Sequence, residues 1–171
     1  MHRLAIGLLA LLLAGGANAQ SLAEIEQAES AVVAVWERTP LAFRRAMFVT
    51  EADGFGVYKE RETAQFKPGE PLLVYAEPAG YAWKDNGDGT FSFGFDVDLL
   101  LKTSKGKIVA GQENFQQLVL VSRAKNREFM LKLTLNVTGA PADDYVVEFR
   151  TRDAFSHKSA TISLPFTIRA E

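Results

Sequence analysis

Apolar residues recur along this chain with two different periods, and the change from one to the other marks its organisation. Leu22, Ile25, Glu29, Val32 and Trp36 fall at helical spacing, with Ala28 and Val33 widening the apolar stripe and Glu24, Glu26 and Glu37 set largely off it. Ser21 and Glu24 have the Ser-x-x-Glu spacing of a capping box. The pattern predicts one amphipathic helix over 21–37, stopped at Thr39-Pro40 because the residue before a proline avoids the helical region. Its stripe is expected to lie as a lid on the rest of the protein, since a membrane-surface helix would carry a basic polar face.

From Leu41 the period becomes two. Leu41, Phe43, Arg45, Met47 and Val49 alternate with more polar neighbours, and Leu72, Val74 and Ala76 do so after the Lys67-Pro68-Gly69-Glu70 turn. The clearest run is 91–101, where Phe91, Phe93, Phe95, Val97, Leu99 and Leu101 share one face and Ser92, Gly94, Asp96 and Asp98 the other. Leu131, Leu133, Leu135 and Val137 repeat it, followed by Tyr145, Val147 and Phe149 and then by Ile162, Leu164, Phe166 and Ile168. Two further strands are expected at 107–111 and 115–122. Turn residues punctuate the runs at Asp53-Gly54, Asn86-Gly87-Asp88-Gly89, Lys105-Gly106 and Gly139-Ala140-Pro141. Short strands with regular turns and no alternation with helices predict an all-β fold, a two-sheet antiparallel immunoglobulin-like sandwich over 41–171 preceded by the helical segment 20–40.

Ahead of the helix, Arg3 precedes an apolar run from Leu4 to Ala14, and Ala17-Asn18-Ala19 places small residues where a signal peptidase reads. This predicts an export signal over 1–19, cleaved after Ala19, and a periplasmic or secreted mature chain. Eleven apolar residues are too few to cross ~30 Å of hydrocarbon as a helix, and no comparable run follows. Loss of Arg3 takes the formal net charge from −2 to −3, which recruits no nucleic acid. With no cysteine, the fold rests on burial and backbone pairing, and thiolate metal sites and thiol nucleophiles are excluded. His2 would leave with the signal, so His157 remains the one imidazole, and no cofactor is expected.

The closing strands carry a resemblance. Asp144-Tyr145-Val146-Val147-Glu148-Phe149-Arg150-Thr151-Arg152-Asp153, then Ser159-Ala160-Thr161 and Leu164-Pro165-Phe166-Thr167-Ile168, resemble the last hairpin of bacterial immunoglobulin-like extracellular domains. In that family a tyrosine opens the penultimate strand and an aspartate ends it. The resemblance implies a sandwich fold and a role in adhesion, chaperoning, sugar binding or structure. The layout as a whole is similar to that of small exported proteins of Gram-negative bacteria. Antibody-type membership is excluded, because the cysteine pair is missing.

Four constellations invite chemistry. Asp153, Ser156 and His157 have the residue types of a nucleophilic triad, but a single turn is a poor frame for one and reads better as a polar hairpin. The oxygen-rich loop 85–90 fails the calcium-loop spacing, which would put Lys84 at the first ligand position, and reads as a tight turn. Asp96 and Asp98 lie on one polar face, where salt bridges to Lys132, Arg150 or Arg152 are expected rather than an acid–base pair. Tyr75, Tyr81 and Trp83 flank the segment Glu77-Pro78-Ala79-Gly80 and are the candidate binding residues, since displayed aromatic rings suit sugar stacking or peptide capture. The function expected is a non-enzymatic protein-interaction or structural module of the bacterial cell envelope, acting by edge-strand pairing or end loops. The alternative is a carbohydrate-binding module, so the partner would be an envelope protein or a polysaccharide.

Overall fold

The computed structural model describes residues 16–170, with side chains described from Ser21 onward. Most of the expected export signal therefore lies outside the described residues. Helix α1 runs Gly16–Arg38, so Ser21 is an interior residue rather than a cap, and the expected cleavage point after Ala19 falls within helical chain. No described helix is long and apolar enough to cross a membrane. The chain forms two compact units that meet between Val35 and Trp36. In the first, Leu22, Ile25, Val32 and Val35 are exposed.

The second unit is a sandwich of ten strands: β1 (Ala42–Gly54), β2 (Val57–Glu60), β3 (Gln65–Phe66), β4 (Leu72–Ala79), β5 (Lys84–Asp85), β6 (Phe91–Thr103), β7 (Ile108–Ser122), β8 (Leu131–Leu135), β9 (Asp143–Asp153) and β10 (Ser159–Ile168). One sheet has the order β2-β1-β4-β8. The other has the order β3-β10-β9-β6, with β5 and β7 both pairing with β6. Every pairing is antiparallel except β3 with β10, where Thr167 faces Gln65 and Ile168 faces Phe66. β1 belongs to the four-stranded sheet, and the two-residue β3 lies along the last strand at the edge of the other. Tyr145, near the start of β9, donates its hydroxyl to the carbonyl of Pro141 at 2.9 Å. Burial raises the pKa of that phenol.

The alternation read from the sequence buries as expected in β6, where Phe93, Phe95, Val97, Leu99 and Leu101 join Leu72, Val74 and Ala76 of β4, Leu131, Leu133 and Leu135 of β8, and Val147 and Phe149 of β9 in one core. Each large apolar side chain taken fully out of water contributes about 1.5–3 kcal/mol, and this cluster is the main source of stability. In β1 the phase differs from expectation. Phe43 pairs with Pro78 and Arg45 with Glu77, so Arg44 is an extra residue and every position beyond it changes face. Ala46 and Phe48 enter the core, while Met47 and Val49 pack outside the sheet with Tyr75, Tyr58 and Leu73.

Candidate functional site

β7 is fifteen residues long and hydrogen-bonds to β6 along one side only. Its course is set by a bulge. Val97 pairs with Gln116 and Leu99 with Gln112, so Asp98 alone faces Glu113, Asn114 and Phe115. Asn114 takes a left-handed backbone, φ 50°, which asparagine tolerates better than most residues. Its N–H donates to Asp98 Oδ1 at 2.9 Å, its side-chain oxygen accepts from Arg152 Nη2 at 3.0 Å, and Arg152 Nη1 donates to Asp98 Oδ2. The Asp98 carboxylate thus replaces ladder bonds lost at the bulge, while Phe115 turns inward to within 5.9 Å of the Phe149 ring.

Beyond the bulge, Gln116–Ser122 pairs with β6 in unbroken register and carries no charged residue. Leu118 and Leu120 pack on the core and stay partly exposed, because no strand among the described residues lies on their far side. Val119 and Val121 stand on the outer face at 60% and 63% exposure. Val119 lies over Gly94, where a Cβ would come within 2.2 Å of the Leu118 carbonyl oxygen, so glycine is what lets β6 and β7 approach. Gln117 fixes the outer face by donating to Asp96 Oδ1 at 2.9 Å. Beside the bulge a shallow pocket of ≈ 380 Å³ opens among Asp98, Glu113, Glu148, Arg150 and Thr161. Glu148 is paired with Lys102 at 2.7 Å and Asp98 with Arg152, and the remaining charges there, Glu113 and Arg150, are opposite in sign.

The candidate aromatics are placed otherwise than the sugar-stacking reading requires. Tyr81 is wholly buried, held between Trp36, Trp83, Phe93 and Phe95, with its hydroxyl donating to the Asn126 carbonyl at 2.8 Å. Burial pushes its pKa far above the ordinary value for a phenol. Tyr75 is equally buried but lies in β4, in the second cluster, where it stacks near Tyr58, donates to Glu77 Oε1 at 2.8 Å and accepts from the Gly56 N–H at 2.7 Å. Trp83 is half-buried, stacked on Trp36 at 5.4 Å, with its indole N–H on the Asn126 carbonyl. Tyr75 and Tyr81, packed out of solvent, offer no stacking platform, and Trp83 is half-buried against Trp36.

The other constellations resolve into turns. Ser156 donates straight to Asp153 Oδ2 at 2.6 Å, so no imidazole stands between hydroxyl and carboxylate as a triad requires. Asp153 is buried and also accepts the N–H groups of Ala82 and Phe155, while His157 is exposed. In the 85–90 loop, Asp85 accepts from the Gly87 N–H, and Asp88 from the Thr90 N–H and hydroxyl. The bonds from Thr90 lower the Asp88 pKa. Asp98 meets Arg152, one of the three partners expected for it, and Asp96 meets Gln117 instead.

One functional group has no local signature in the sequence. The Lys158 ammonium donates to the carbonyls of Glu37, Thr39 and Gly80 at 2.9, 2.8 and 2.7 Å, tying the last turn of α1 to the sandwich. Trp36 adds its indole N–H on the Tyr81 carbonyl at 2.8 Å. No family model and no curated protein sequence matches this chain.

Proposed function

We propose that this is an exported, non-enzymatic protein-binding module of the bacterial cell envelope that engages its partner by accepting a strand along β7. The observation that carries the reading is the run Gln116–Ser122, open along one side, uncharged, and with valines standing on its outer face. Natural sheets protect such edges with charges, proline, bulges or shortness. The other edges of this sandwich follow that rule. β8 is five residues long and carries Lys132, β2 is four residues long with Lys59 and Glu60, and β10 carries Pro165 where β3 leaves it uncovered. An edge spared these devices is a docking strand, with main-chain bonds supplying affinity and the valine side chains supplying selection.

The absence of chemistry in this reading is supported by how the reactive side chains are spent: Asp153 and Ser156 on each other, Asp98 on the bulge, Asp85 and Asp88 on their own loop. A photo-crosslinking residue placed at Val121 in exporting cells is expected to capture a protein, whereas the same residue at exposed Val57 on the β2 edge is not. Identical adducts from both positions, or none from Val121, would refute edge pairing.

A further inference from the structure

We infer that the strand accepted by β7 is the β7 of a second copy of this chain, paired antiparallel about a two-fold axis through Val119. The inference rests on the edge-binding reading above and names its partner. The uncharged run extends three residues to either side of Val119, to Gln116 and to Ser122. A two-fold axis there sets Val119 against itself, Leu118 against Leu120, Gln117 against Val121 and Gln116 against Ser122, each pair on one face because the sums keep the period of two.

Every pair in that register is compatible. On the inner side, two leucines from each copy that are now partly exposed at an open edge cover one another. On the outer side, Val119 and Val121 of both copies form one apolar stripe. No charge meets a like charge, and the nearest flanking charges, Glu113 on one side and Arg123 on the other, are opposite in sign. The bulge at Asn114 breaks the register and ends the regular segment, so the pairing is confined to these seven residues. An interface of that size lies at the small end, below about 1,200 Å², and gives a concentration-dependent dimer rather than an obligate one.

The chain has no cysteine, so an introduced thiol is unique. Residues directly opposite in an antiparallel pair have Cα atoms about 4.5–5.5 Å apart, inside the range of about 4.4–6.8 Å that a disulfide spans. The protein isolated after export is expected to rise in sedimentation mass from monomer towards dimer between about 10 μM and about 1 mM. V119K, which sets two lysines face to face, is expected to stay monomeric, and V57K to dimerise as wild type does. Under mild oxidation V119C is expected to form a disulfide-linked dimer at least about tenfold faster than V57C, a readout that does not depend on the lysine variant folding. A wild-type mass that stays monomeric, a dimer that V119K leaves intact, or equal crosslinking of V119C and V57C would overturn self-pairing. If the wild type is monomeric while Val121 crosslinks to a different protein, self-pairing fails and the edge reading stands; if neither a dimer nor an adduct forms, both fail.

Discussion

Replacing Lys158 by methionine keeps the aliphatic stem and removes the ammonium that draws three carbonyls together. A hydrogen bond to a charged group contributes about 1.5–3 kcal/mol, and a carbonyl left buried without a donor costs about 1–3 kcal/mol. Glu37 lies at an exposed position and its carbonyl regains water, whereas Thr39 is half-buried and Gly80 buried. Two stranded carbonyls at about 1.5 kcal/mol each make the expected loss about 3 kcal/mol. The assay is urea unfolding followed by tryptophan fluorescence, because the chain's two tryptophans, Trp36 and Trp83, are stacked at this junction. With a slope of about 2 kcal/mol per molar urea, the midpoint should fall by about 1.5 M at unchanged slope. The partners are dipoles rather than charges, so the loss should persist in about 1 M salt, where the screening length is only about 3 Å. A midpoint shift below about 0.3 M, or one that disappears in salt, would refute the reasoning. Lysine also suits the site in shape: a flat guanidinium cannot aim donors at three carbonyls converging on one point, and K158R should recover less than half of the loss.

Three further outcomes follow from single side chains. The Thr151 hydroxyl is fully buried with no hydrogen-bond partner, so T151V should raise the unfolding midpoint, by about 1 kcal/mol; a loss of stability would show that a hidden partner exists. G94A drives a Cβ against the Leu118 carbonyl and should cost about 2 kcal/mol or more while accelerating amide exchange across β7; unchanged exchange there would contradict the close approach. Glu70 accepts the Lys67 N–H at 2.9 Å and pairs with Arg61 at 2.8 Å, and these contacts, the backbone bond first, hold its pKa below the ordinary 4.5. A lowered folded pKa gives stability that is present above the unfolded value and lost as pH falls through the folded one. E70Q should therefore be less stable than wild type by about 1 kcal/mol near neutral pH, and the gap should close towards pH 3; a gap that is constant with pH would mean that charge is not its source.

What the sequence reveals about this fold depends on which physical fact a pattern records. Period-two alternation records burial on one face, and in β6 and β9 the apolar residues from Phe93 to Leu101 and from Tyr145 to Phe149 enter the core as expected, although Ser92 and Gly94 on the expected wet face of β6 are buried too. A bulge leaves no such record. Arg44 looks like any other polar position in an alternating run, yet it moves Phe48 into the core and Met47 out of it. The aromatic residues near 80 fail for a related reason: their burial is decided by Trp36 and by the Asn126 carbonyl, more than forty positions away along the chain. The three acceptors of Lys158 are equally remote.

Edge position is a different kind of fact, because alternation says which face is wet but not whether a neighbour lies alongside. One signal for it exists in β7. Leu118-Val119-Leu120-Val121 is apolar at four successive positions, whereas a strand on a half-wet sheet needs apolar residues only at every second one. The inner pair is accounted for by the core, and the outer pair, together with the open rim, by nothing else in the described residues. Surplus apolarity on the outer face of an edge strand stabilises no fold and invites aggregation, so its retention is best explained by a surface that covers it for part of the protein's life. A variant that adds lysine to this rim should therefore leave the unfolding midpoint nearly unchanged, and what it removes should be association.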